Sequence, residues 1–354
     1  RLRPGAGAPG RVLHLYMAHG GTNFGFWNSA VFGSGGFVTT SYDYAAPISE
    51  AGLHNRGGDG VDKFEAIRQV LAEEAARAGE PAPPPEPAPP RLAAYPGSGP
   101  RGEVPLERQA VLRDPAVLSA LCAGGWRSAS TPAPMEVFGQ HAGMTLYRYH
   151  VSAGEATAAM AANATSKPRL TLEARDRVSV WRGAEEVARA WLKSAAGLLN
   201  PSPKDSLTVE LASLEHGDTL DVLVENLGRR AFFMRNTNDD KNTWEEWKGL
   251  RQAKLNDKPL EGHWEVCMLP LDDVGAVDGV RTSVGALPPG PAFFRGAVAV
   301  AGEPADTFLR LDAGSWNAGV AFVNGFNLGR YWRQANAPFD FYVPKSALRA
   351  GENE

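Results

Sequence analysis

The stretch Tyr16–Asn28, YMAHGGTNFGFWN, sets three glycines, four aromatic rings and two asparagines within thirteen residues. Shortly downstream, TTSYDYAAPISE adds Tyr42, Asp43, Tyr44 and Glu50. Glycine lets a backbone turn, or approach a neighbour, where a Cβ would clash. Tyrosine joins a donor–acceptor hydroxyl to an apolar ring face. Rings and amides gathered at such a turn suit a polar ligand with flat apolar faces, which is the shape of a sugar. A tight loop that packs its rings into a core has the same composition, and the residues alone leave both readings open.

Other chemistries find no support. The seven histidines show no ligand spacing, and His14 and His19 fall on opposite faces of a strand end. No phosphate loop, zinc pattern or Ser-His-Asp arrangement is present, so no metal and no cofactor is expected. Over 354 residues the net charge is only −4, which gives nucleic acid or an anionic membrane no electrostatic reason to bind. No apolar run approaches the length of a membrane span. Cys122 and Cys267 lie far apart in sequence, in regions expected to be different domains. They are expected to be single buried thiols. One glycosylation triplet, Asn163-Ala164-Thr165, is compatible with a secretory route.

The elements that would position these residues divide into four parts. Residues 1–78 read as a strand (Val12 to Met17), a long loop and a helix. In the helix Phe64, Ile67, Val70 and Leu71 recur at helical spacing. Strand, loop and helix make one βα unit. Residues 79–97 hold EPAPPPEPAPP, with seven prolines in eleven residues, which predicts a stiff extended spacer. Beyond it, short alternating runs such as TLYRYHV, RLTLEA, DTLDVLVENL and GVAFVNG predict antiparallel sandwiches or jelly rolls. A polar bridge around 235–262 divides them into one sandwich over 98–245 and a second over 246–354. The chain opens on Arg1 and closes on RAGENE, and is expected to be a piece of a longer protein.

At this point the motifs resemble a family. LYMAHGGTNFGFWN followed by TTSYDYAAPISEAG resembles the last strand and loop of the catalytic barrel of glycoside hydrolase family 35, the β-galactosidases. PMEVFGQHAGMTLYRY and LDVLVENLGRR resemble its middle β domain. PAFFRG, DTFLRL, GVAFVNGFNLGRYW and YVPKSALRAGENE resemble its galactose-binding-like terminal domain. The four matches follow in order over almost the whole chain. The fold so implied is multidomain: the C-terminal βα remnant of a (β/α)8 TIM barrel, followed by two antiparallel β-sandwich or jelly-roll domains.

By the same resemblance, Tyr16 and Tyr44 occupy galactose-contacting positions, and Asp43 orients neighbouring groups from behind them. Trp27 and Asn28 shape the loop, and Tyr42 packs into the core. The implied activity is that of a retaining exo-β-galactosidase acting on a β-galactoside glycan or disaccharide. Such enzymes need two carboxyl groups about 5–5.5 Å apart, and in the family both are glutamates on barrel strands expected upstream of Arg1. Asp43 and Glu50 share one loop and do not replace them, so no catalytic residue is assigned. Ala18, Ala45 and Phe339 depart from the family's usual aromatic, acidic and glutamine residues. Arg330, Trp332, Glu225 and Arg229 are expected to brace one domain against another. The resemblance favours a secretory route, to a vacuole, lysosome or the outside. The other reading is a non-catalytic carbohydrate-binding or structural protein with a vestigial barrel end.

Overall fold

The computed structural model describes residues 14–30, 38–56, 59–163, 167–191, 206–230, 247–280, 290–335 and 337–354. Among these the chain is mostly β-sheet with few helices. The predicted helix is present as α1, Lys63–Ala78. Asp62 caps it by accepting from the Glu65 N–H at 2.9 Å, and Gly79 ends it in the left-handed region. Its apolar residues have no core to enter, and not one residue of α1 is buried.

The barrel strand expected at Val12 to Met17 is not confirmed. Val12 and Leu13 lie outside the described residues, and His14 to Met17 form no strand. A lone strand would leave both edges unpaired, and here His19 makes only an isolated bridge to Ile48. The first unit instead pairs outward, through Ser29–Ala30 running parallel to Arg229–Arg230.

The proline-rich segment is a strap and not a free spacer. Arg68 Nη1 donates to the Pro84 carbonyl at 2.9 Å, and Glu86 meets His54. Beyond it, Ala93 N–H donates to Asp306 O at 2.9 Å, and the Ala305 N–H donates to the Tyr95 hydroxyl at 2.8 Å.

Among the described residues the β region forms a two-layer sandwich. Its four-stranded sheet runs Lys258–Pro259, Gly249–Leu255, Arg169–Arg175, Ser206–Glu210. The six-stranded sheet runs Arg127–Ala129, Trp264–Leu269, Met144–His150, Thr219–Glu225, Arg177–Arg182, Glu185–Trp191. Arg169–Arg175 alternates as predicted, turning Leu170, Leu172 and Ala174 inward. Thr219–Glu225 is buried almost throughout. Its inner face meets Tyr147, Val178 and Val266, and its outer face contributes Leu223 to a second core with Leu118, Trp181 and Leu271.

A division at 245/246 cuts this sandwich, because Gly249–Leu255 pairs with Arg169–Arg175, and Trp264–Leu269 with Met144–His150. The terminal unit likewise begins early: Glu107–Val111 pairs with Ala292–Arg295. Further hairpin-like pairs follow, among them Ala318–Val323 with Phe326–Trp332. These two join at Asn324-Gly325, both with positive φ as the turn requires.

The cysteines also differ from expectation. Cys122 and Cys267 are joined as a disulfide with Cα atoms 5.2 Å apart, inside the second core. Their separation in sequence concealed this, because the strand carrying Cys267 returns to lie beside Met144–His150.

Candidate functional site

Two glycines of the opening stretch sit at close approaches to other segments. A Cβ on Gly20 would stand 2.5 Å from the Asp43 carbonyl oxygen, so the 41–44 turn lies directly on this residue. Asn23 fixes the same loop, its backbone N–H and Nδ2 both donating to Thr40 O at 2.8 Å. Gly25 N–H donates to Asn327 O at 2.9 Å, reaching into the terminal unit. The loop is thus clamped between the SYDY turn and the strand Phe326–Trp332.

Its rings separate by face. Phe24 packs on Phe326 with centroids 5.1 Å apart, and the Phe26 ring lies 4.7 Å beneath the Arg330 guanidinium. Tyr16 and Trp27 point outward, 80% and 87% exposed. Tyr16 meets Tyr42 edge to face at 6.2 Å. Tyr42 is 48% exposed, and the expected core packing is absent, because the first unit has no core of its own at this point. Trp27 stands at the rim of a cavity of about 240 Å³ shared with His141, Asn226 and Arg229.

Tyr44 is placed differently from Tyr16. Its hydroxyl accepts from the N–H groups of Thr40 at 3.2 Å and Ser41 at 3.1 Å, and pairs with the hydroxyls of Thr39 and Thr40. One phenol offers a single donor and two acceptor lone pairs, and these contacts fill them. The Tyr44 carbonyl and that of Ala46 are both tied by Asn55 Nδ2. Asp43 serves its own turn, Oδ1 accepting from the Ala45 N–H at 2.8 Å. Glu50 accepts from Thr22 Oγ1 at 2.8 Å. Burial pushes its carboxyl upward and the charge of Asp340 adds to this, against the Thr22 hydrogen bond and the charge of His19.

Behind the loop the first unit, the sandwich and the terminal unit meet. Asn28 is buried; its Nδ2 donates to Leu227 O at 2.7 Å and its Oδ1 accepts from Arg330 Nε at 3.0 Å. Arg330 is 2% exposed, paired with Glu225 and donating to Asn226 O. Burial lowers its pKa, while the charges of Glu225 and Asp176 oppose that. Arg177 also pairs with Glu225, at 2.5 Å. Trp332 packs edge to face on Trp191 at 4.5 Å. The sequence marked Arg330, Trp332 and Glu225 as domain braces, and the structure shows them as such. Asn28 was assigned only to the loop. Its burial at the junction had no signal in the sequence beyond its place after an exposed ring.

Among the described residues no group of three or more His, Cys, Asp or Glu could hold a metal ion, and no helix is long and apolar enough to cross a membrane.

Two family models match the chain. Residues 6–73 match "Glycosyl hydrolases family 35", and residues 291–353 match "Beta-galactosidase, galactose-binding domain". Among curated relatives, "Beta-galactosidase-1-like protein" of Mus musculus is 31% identical over 347 residues, covering 96% of this chain and 46% of the relative. "Beta-galactosidase" of Xanthomonas manihotis is 31% identical over 345 residues, covering 96% and 48%. "Beta-galactosidase" of Bos taurus is 28% identical over 359 residues, with the same two shares. The chain spans about half the length of the relatives it matches.

Proposed function

We propose that this chain, which matches the glycosyl hydrolases family 35 model over residues 6–73 and resembles β-galactosidases along most of its length, belongs to that family and forms the C-terminal part of a retaining exo-β-galactosidase that removes terminal non-reducing β-D-galactose from glycans or galactosides. The observation that carries this reading is the bare face of the first unit. A sixteen-residue helix that buries no residue, on the same unit as the outward-pointing Tyr16 and Trp27, is a surface built to be covered. We assign the cover to the remaining strands and helices of a TIM barrel, which also bring the acid/base and nucleophile carboxylates. Within this chain Asp43 and Glu50 are occupied by Ala45 and Thr22, so neither is proposed as catalytic.

In this reading Tyr16 presents its ring and hydroxyl to the galactose, since its side chain is 80% exposed and touches the loop through Tyr42. Tyr44 acts on the same sugar chiefly by holding the loop that faces it, and Asp43 holds the turn between them. The terminal unit and sandwich brace the loop through Arg330 and Asn28. The disulfide supports an oxidising, secretory compartment.

The test is an assay with a chromogenic β-galactoside. The 354-residue chain should show no turnover above a heat-inactivated control, and a longer product of the same gene that includes the barrel should hydrolyse the substrate. Turnover by the chain alone would place a working carboxylate pair inside it. Silence of the longer product would leave the non-catalytic reading standing.

A further inference from the structure

One histidine outside the loop touches two carboxylates at once. His54 Nδ1 lies 3.1 Å from Asp62 Oδ2, and its Nε2 lies 2.7 Å from Glu86 Oε1. The ring stacks on Phe64, centroids 4.3 Å apart. The three polar side chains are only partly exposed, at 25%, 25% and 37%. Asp62 caps α1, whereas Glu86 sits on the proline-rich strap, so the ring joins two segments separated by the whole helix.

A neutral imidazole has one donor and one acceptor nitrogen, and only the imidazolium donates from both. With carboxylates at both nitrogens, the neutral ring must turn a lone pair toward one of them. We propose that His54, Asp62 and Glu86 form a proton-operated clasp that fastens the strap to the first unit when the ring is charged and loosens it when the ring is neutral. Arg68 also ties the strap, its Nη1 donating to the Pro84 carbonyl whatever the state of the ring, so the clasp adds a second, proton-dependent tie at Glu86. Arg56 lies near Asp62, Lys63 Nζ is held by Ala45 O, and Glu65 is engaged by Gln69 and Arg68. The Asp62 carboxyl is held below its ordinary range, first by the Glu65 N–H and then by His54, so it stays ionised while the ring titrates.

The clasp matters because of its neighbour. Asn55, next in sequence, ties the Tyr44 and Ala46 carbonyls, and its own carbonyl accepts from Lys63 N–H. Closing the clasp therefore steadies the SYDY turn as well as the strap that leads to Asp306. Its sign is fixed by the chemistry: fastening needs the ring protonated and both carboxylates ionised, and it is lost when the ring gives up its proton.

The two native cysteines are joined, so Ala88→Cys supplies a single thiol on the strap for a pH-insensitive fluorophore. Steady-state anisotropy of the labelled 354-residue chain should fall in one step between about pH 5 and 8. His54→Gln and Glu86→Gln, each made in the labelled chain, should show low anisotropy without the step, with unchanged circular dichroism. A flat profile in the chain that keeps His54 overturns the proposal. So does a step that survives either substitution, which would assign the movement to another group or to Asp62 alone.

Discussion

The Arg330 guanidinium shows how much one buried side chain can be asked to hold. It faces Glu225, Asn226 O, Asn28 and the Phe26 ring, from two parts of the chain distant from its own strand. Removing one partner of a buried ion pair typically costs about 3–5 kcal/mol. Arg177 remains beside Glu225, so Arg330→Met should cost about 3 kcal/mol, read as apparent stability in urea. A loss near zero would mean that the junction is wet and loosely held. Glu50 gives the opposite kind of prediction. Its folded-state pKa is raised, so the ionised form is disfavoured by folding, and the penalty grows as pH rises from its ordinary value through the raised one. Glu50→Gln keeps an oxygen for Thr22 Oγ1 and removes the charge. It should raise the melting temperature at pH 7 and change little at pH 4. A lower melting temperature at pH 7 would show that the charge is wanted, through His19.

At the scale of elements, the sequence was legible wherever a period or a cap is local. The spacing from Phe64 to Leu71 places α1, whose caps Asp62 and Gly79 the structure then shows, and alternation places Arg169–Arg175 and its neighbours. What the pattern could not carry was pairing. Gly249–Leu255 lies inside the polar stretch 235–262 that reads as a boundary, and its partner lies some eighty residues upstream. A motif likewise fixes where Tyr44 stands in the chain but not where its hydroxyl points. Gly329 is a case where element and loop meet. It lies in Phe326–Trp332 at φ +116°, and a Cβ there would be 2.5 Å from Thr40 Cγ2. Gly325, at φ +80°, has nothing within 4 Å of the same position. Gly325→Ala should therefore cost backbone strain alone, about 1 kcal/mol, and Gly329→Ala strain plus the clash, about 2–3 kcal/mol. Adding Thr40→Ser removes Cγ2, keeps the hydroxyl beside Tyr44, and should recover the difference in thermal unfolding. No recovery would place the cost elsewhere in the strand.

At the scale of the whole molecule, the sequence reading treats the first unit as a remnant and the β region as self-sufficient. The contacts argue for mutual dependence. Phe24, Phe26 and Asn28 fill positions against Phe326, Arg330 and Leu227, and Leu92 to Tyr95 run along Asp306 and Ala305. Cutting the chain at residue 92 keeps the second set and loses the first, whereas cutting at 98 loses both. Melting temperatures should therefore fall in the order 1–354, 92–354, 98–354. Asn28→Ala in the full chain should reproduce part of the first step. It leaves the buried Leu227 carbonyl without its donor and Arg330 Nε without its acceptor, a loss of about 1–3 kcal/mol. If 98–354 melts with the full chain, the first unit is a passenger and the junction contributes nothing. If 98–354 is weakened but Asn28→Ala is neutral, the strap braces the terminal unit and the loop does not. The expected result, weakening in both, makes the glycine-aromatic loop a keystone between three parts as well as the floor of the proposed sugar site. Gly20 in the loop and Gly329 in the strand beneath it are then explained by what passes close to each, the Asp43 carbonyl and Thr40.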